Sequence, residues 1–311
     1  MKKYYSLFIL FFTLQYGLAD VKKEKEQNKL IESIQIERAW SHFNKLTQDI
    51  GSPDNGAGFR SITPASDDDK EVVDYILKQC KELKVDVAEE SFTVKTYRYE
   101  LPEIKIGKRK ISAISLYGST GIWGFNMNKE YTIGSDNSRK SLESVLINAG
   151  KGTKEEITKL GRIEGRVLII ERDDSTQVWP VVPIIEAQGR GAKGIIIYSK
   201  ENTYIQAPIE ANLPVYSISY EEWAKIQNEM GSGRNNIRIK QRVDISNEKT
   251  SNIVIYRRGN LFPDESIILG INRDRWFREA HGSSSGISAL LEIIRIFQKS
   301  EYKNNRTIIF V

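Results

Sequence analysis

The stretch from Glu265 to Val311 constrains the fold more than any other part of the chain. "ESIILGIN" at 265–272 is an apolar run of strand length, "GISALLEIIRIFQK" at 286–299 carries apolar side chains at helical spacing, and "RTIIFV" at 306–311 is strand-like again. A strand, a helix and a strand joined in this way pair in parallel through a right-handed crossover. On the helix Ser288, Glu292, Arg295 and Lys299 form one narrow polar stripe, so most of its surface must be covered. The second strand is wholly apolar and needs neighbouring strands and helices. Either the N-terminal elements complete this sheet or the sequence is an incomplete one.

Between strand and helix lies "INRDRWFREAHGSSSG", residues 271–286, where α/β proteins commonly keep their chemistry. Gly282-Ser283-Ser284-Ser285-Gly286 matches the nucleophile-elbow pattern with Ser284 at its centre. An elbow turns directly from strand into helix, whereas residues 273–280 intervene here, and no histidine follows His281 to complete a triad. A helix cap by Ser284 or Ser285 accounts for the cluster better. A phosphate loop would need a Gly-Lys-Ser/Thr ending that is missing.

The rest of the chain alternates helices and strands. Residues 33–48 place Ile36, Trp40, Phe43 and Leu46 at helical steps, with His42 as a surface or half-buried residue rather than a zinc ligand. Ser66, with Asp69 three residues on, caps a second helix that carries Val72, Val73, Ile76, Leu77, Cys80 and Leu83 on one face. "VDVAEESFTVKTYRY" at 85–99 reads as one or two strands. From 141 to 260 the rhythm becomes β-rich: strands at 165–172, 194–199, 213–219, 237–246 and 251–260, and helices at 179–194 and 219–230, the latter capped by Ser219 with Glu222.

Lys2 and Lys3, the apolar "YYSLFILFFTLQYG" and Gly17-Leu18-Ala19 have the pattern of a secretory leader cleaved before Asp20. The apolar stretch is short for a stable membrane span. The remaining chain has one cysteine, Cys80, so no disulfide forms within it, and the thiol is expected on a buried helix face. Without the leader, basic residues exceed acidic ones by three, scattered along the sequence, which does not argue for nucleic acid.

The segment 263–311 resembles the peptidase core of the zinc exopeptidases that include glutamate carboxypeptidase II, plasma glutamate carboxypeptidase and the related transferrin receptor. "GRIEGRVLIIER", "EAQGRGAKGIIIYS" and "LPVYSISYEEW" resemble the protease-associated domain which that family inserts in its peptidase domain. "FNKLTQDIGSPDNG" and "DKEVVDYILKQCKELKVDVAEESF" are similar to its two-helix lead-in.

The resemblance implies a dizinc site. Its first histidine opens a His-Arg-Asp-x-Trp motif, and a bridging aspartate comes just before Ser-Gly starts the helix. This chain reads Asn272-Arg273-Asp274-Arg275-Trp276, then Gly282, then Ser285-Gly286. Asp274 and Trp276 keep the frame, while asparagine and glycine stand at the two donor positions. A neutral amide holds zinc far less well than imidazole, glycine offers no donor, and His281, the weak candidate ligand, cannot replace a charged bridge. The family's Glu-Glu base and later ligands follow the second strand, where this sequence stops.

The expected organisation is therefore an incomplete α/β exopeptidase-like sheet domain with a β-rich insert: leader 1–19, charged spacer 20–32, N-terminal part of the peptidase-like domain 33–125, protease-associated domain 126–250, and truncated core 251–311. The expected function is that of a secreted, catalytically inactive exopeptidase homologue, residing outside the cell or in the secretory lumen. It acts by binding an unidentified protein or peptide as a monomer, without zinc, nucleic acid or a membrane span. The alternatives are a fragment of an active dizinc exopeptidase that removes terminal residues from peptides, and an unrelated secreted α/β binding module.

Overall fold

The computed structural model describes residues 28–50, 52–54, 59–126, 129–132, 141–172, 180–201, 209, 211–275 and 282–311. The leader, most of the charged spacer, Trp276 and His281 lie outside these residues. Helix α1, Ile36–Asn44, runs into a π turn at Lys45–Asp49, so the first helix is shorter than its periodicity predicts. A short hairpin, β1 (Ser52–Asp54) and β2 (Phe59–Ser61), leads to α2, Asp67–Glu82.

Local chemistry sets both ends of α2. The Ser66 hydroxyl accepts from the Asp69 amide at 3.1 Å, and Asp67, Asp68 and Asp69 put negative charge at the positive end of the helix dipole. At the other end Lys84 adopts φ +56°, and the Val85 amide returns to the Cys80 carbonyl at 3.0 Å, closing a Schellman turn.

Strand β3, Ala88–Tyr99, is one continuous strand of 12 residues. The short strands β4 (Glu103–Ile106), β5 (Arg109–Ile111), β6 (Ile114–Ser115), β7 (Trp123–Asn126) and β8 (Lys129–Thr132) follow. Next come β9 (Leu142–Asn148), α3 (Lys154–Lys159), β10 (Val167–Arg172), α4 (Val181–Gly189), β11 (Gly194–Ser199), β12 (Val215–Ile218), α5 (Tyr220–Gly231) and β13 (Asn236–Lys240).

These strands build an eight-stranded sheet in the order β5-β4-β13-β9-β10-β11-β12-β6. Its centre, β9 to β12, is parallel, and β11 and β12 are buried along their whole lengths, as continuous apolar runs require. Ile157 of α3 and Ile184 of α4 pack with Leu168, Ile195 and Val215 on one face. Trp223 and Ile226 of α5 pack with Ile169, Ile196 and Tyr216 on the other. The Ser219 hydroxyl caps α5 through the Glu222 amide at 3.2 Å. Pairing brings residues 103–115 into the same sheet as residues 142–240.

The remaining strands are β14 (Val243–Arg257), β15 (Phe262–Leu269) and β16 (Arg306–Phe310), with α6 (Ser283–Lys299) between the last two. The expected strands at 237–246 and 251–260 divide differently: the break falls at Gln241–Arg242, and β14 is one strand of 15 residues. Its polar centre is stabilised by antiparallel pairing with β3 from Val243↔Tyr99 to Val254↔Ala88. Strands β15 and β16 are parallel, as their sequence predicts, and β16 pairs antiparallel to the end of β14.

Helix α6 is covered as its composition requires. Ile287 and Leu291 meet Leu46, Ile50 and Val72, while Ile294 and Phe297 meet Cys80, Ile308 and Phe310. Its polar stripe lies under the N-terminal segment: Glu292 accepts from the Gln35 amide at 2.7 Å, and Arg295 donates to the Ser33 carbonyl at 2.6 Å. Glu292 and Arg295 pair with each other at 2.6 Å and are both buried, so only Lys299 of the stripe reaches solvent. Among the described residues no helix is long and apolar enough to cross a membrane.

Candidate functional site

The residues after β15 form one wall of a cavity of about 530 Å³. It opens where the parallel strands β15 and β16 end, the usual place for a ligand in an open α/β sheet, and its size suits a small ligand or a side chain of a larger one. Asn272, Arg273 and Asp274 line it beside Asp69 and Thr250, and α6 contributes an apolar wall through Ile287, Leu291 and Ile294.

Alternate residues of the Asn272–Arg275 segment anchor it to different elements. The Arg273 guanidinium donates to both Asp69 carboxylate oxygens, at 2.6 and 3.3 Å, to Thr250 Oγ1 at 2.9 Å and to the Ser251 carbonyl at 2.9 Å. Asp69 also accepts from the Thr250 hydroxyl and the Ala65 amide, each at 2.8 Å. Burial pushes the Asp69 pKa up, but the Arg273 pair and the other donors outweigh it and hold the carboxyl below its usual range.

Arg275 is 2% exposed and reaches the other way. It donates to the Leu46 carbonyl at 2.6 Å, the Ile50 carbonyl at 3.0 Å and Ser284 Oγ at 3.2 Å. Its backbone bridges to Ile62. A charged side chain so deeply placed had no signal in the sequence beyond its position in the motif. Asp274 acts on the Tyr117 hydroxyl of the loop after β6, whose pKa is pushed up to about 12, chiefly by burial, with the Asp274 charge adding to the rise and a backbone hydrogen bond at Tyr97 opposing it.

The serine cluster departs from its expected role. Helix α6 begins at Ser283, its N-cap is Gly282, and no side chain caps it. The reason is register: all three serines fall inside the first turn. Ser284 is 1% exposed and receives Arg275, and Ser285 donates to the Gly282 carbonyl at 3.0 Å. Ser284 is therefore a buried packing residue. Gly286 is tightly constrained, since a Cβ there would come within 2.4 Å of the Ile271 side chain. Gly282 is not: a Cβ there would meet nothing within 4 Å among the described residues.

His42 takes no part in the site. It is buried rather than half-exposed because α2 covers it, and its Nδ1 lies 2.6 Å from the Tyr75 hydroxyl. Cys80 is fully buried, and burial raises its thiol pKa to about 11.

No family model matches the chain. Over 83 residues it is 37% identical to the probable glutamate carboxypeptidase AMP1 of Arabidopsis thaliana, a match that spans 26% of this chain and 12% of that protein. Over those 83 residues the chain is a homologue of that probable carboxypeptidase. Its fold is that of a zinc aminopeptidase from Bacillus subtilis, with a TM-score of 0.65 at 19% identity over 89% of this chain and 61% of that one. A peptidase M28 precursor from Shewanella amazonensis gives 0.64 at 17% identity, covering 94% and 66%. An Aneurinibacillus aminopeptidase gives 0.58 at 17%, covering 90% and 63%. The homologue thus spans under two thirds of the length of these structures.

The described donors of the homologue do not fit a dizinc centre. Asn272 offers a neutral amide, Gly282 offers nothing, and the Asp69 carboxylate is already neutralised by Arg273. Among the described residues no three His, Cys, Asp or Glu side chains stand together as a metal cage.

Proposed function

We propose that this chain is an exported, catalytically silent homologue of the zinc exopeptidases that works by binding a protein or peptide. The donor chemistry at Asn272 and Gly282 carries this reading: the two positions that would present an imidazole and a bridging carboxylate present an amide and a hydrogen atom. The β-rich insert at 126–250 is read as a protease-associated domain serving the same binding role. Export follows from the leader, with a mature start at Asp20, and the mature protein is read as a monomer.

Zinc content and dipeptide hydrolysis of the natively purified protein test the reading. Zinc well below one ion per chain, with no cleavage, is expected; stoichiometric zinc with turnover overturns it. The second reading is part of an active dizinc exopeptidase. It draws on the 37% identity to a probable glutamate carboxypeptidase and on the share of the aminopeptidase length that is spanned. A native mass well above that of 311 residues, together with peptidase activity, would favour it.

A further inference from the structure

We propose that the outer face of β5, β4 and β13 is a binding strip for an extended, sulfated or carboxylated polysaccharide. "KIGKRK" at 105–110 is cation-rich in the sequence, but only strand pairing shows what its charges do. Lys105 lies directly across from Lys110 on one side and from Arg238 on the other. Three cations therefore stand in one row across three antiparallel strands, at the spacing of neighbouring strands. All three are exposed, while Ile104, Ile106, Ile111, Ile237 and Ile239 of the same strands turn inward to the core.

Like charges placed directly opposite destabilise a sheet, so this row costs stability unless an anion occupies it. Arg238 has a partial counterion in Glu143 at 3.3 Å, and no ion pair is found for Lys105 or Lys110 among the described residues. The neighbouring Arg109 and Arg234, by contrast, are both paired with Glu229, at 3.0 and 2.7 Å. Lys108, in the turn between β4 and β5, is also exposed and extends the charge toward the edge of the sheet.

The chemistry of the strip selects among polyanions. Its outward side chains, Lys105, Lys110, Arg238, Lys240, Glu103 and Glu143, include no aromatic ring on which a base could stack and no apolar residue to enter a bilayer. What remains is charge at regular spacing on a flat surface, which matches a chain of sulfates or carboxylates. This inference is independent of whether the distant site is catalytic.

The test is binding of the full chain to heparin at 150 mM salt, for wild type, for the strip variant Lys105→Thr with Lys110→Thr, and for the control Lys78→Thr with Lys81→Thr on the exposed face of α2. The strip variant should bind about 30-fold more weakly, since it loses two basic side chains worth about 1 kcal/mol each against an anionic surface. The control should match wild type, and the strip variant should keep at least the wild-type melting temperature, because relieving the repulsion does not unfold the sheet. Equal weakening in both variants, no heparin binding by wild type, or tighter binding to single-stranded RNA or to phosphatidylserine vesicles would each overturn the proposal.

Discussion

Asp69 joins the helix that Ser66 caps to the loop that carries the site. Its folded-state pKa lies below that of the unfolded chain, since Arg273, Thr250 and the Ala65 amide outweigh burial. The ionised carboxylate therefore stabilises the fold fully above about pH 4, and that contribution is lost as pH falls through the folded-state value. Asp69→Asn should cost roughly 3 kcal/mol at pH 7, since it leaves Arg273 without its anion. Urea midpoints at pH 7 and pH 3 check this: the gap between wild type and variant should shrink at the lower pH, and an unchanged gap would mean that charge is not the cause. Cys80 makes a separate residue-level case. With its thiol fully buried and its pKa near 11, it should resist iodoacetamide at pH 8 in the folded protein and react at once in 8 M urea.

At the scale of elements, Arg275 holds the end of the π turn and the start of α6 to the segment after β15. Two of the three acceptors, Leu46 and Ile50, lie on the π turn and its end and the third, Ser284, on α6, so no single element carries the contact. Arg275→Met should cost roughly 3 kcal/mol, because the Leu46 and Ile50 carbonyls are left buried without a charged donor. Chemical denaturation at neutral pH measures it, and a change below about 0.5 kcal/mol, the range of ordinary surface substitutions, would show that the contacts are dispensable. The opposite holds for Gly282→Asp at a helix N-terminus, where an added Cβ meets nothing within 4 Å among the described residues. Its melting temperature should equal or exceed that of wild type.

For the whole molecule, the decisive prediction concerns restoring donors. In the 311-residue chain, Asn272→His with Gly282→Asp should fold and still fail to hydrolyse dipeptides, because two restored donors do not make a dizinc centre and the Asp69 carboxylate beside position 272 is held by Arg273. Measurable turnover by that double variant would overturn the ligand accounting. The arrangement of the molecule was partly legible beforehand. Strands such as β10, β11 and β16 announce themselves because burial on both faces demands continuous apolar residues. The parallel pairing of β15 and β16 follows from the crossover between them. The length of β14 was hidden because its centre, from Ser246 to Thr250, is polar and half exposed; it is a strand only because β3 lies beside it. The place of β4 and β5 in the eight-stranded sheet was hidden for the same reason, since β4, which carries β5 at its edge, pairs with β13 across more than a hundred intervening residues.

What the sequence by itself determined is the donor chemistry of the site. Asparagine at 272 and glycine at 282 are covalent facts, and no packing turns an amide into an imidazole or supplies a missing carboxylate. What only the tertiary structure decided is which charges are neighbours. Arg273 meets an acid 204 positions away, Arg275 is swallowed by carbonyls of the N-terminal helix region, and Arg238 stands in one row with Lys105 and Lys110 from more than a hundred positions earlier. Such pairings depend on where distant segments cross, and local sequence carries no record of the partner.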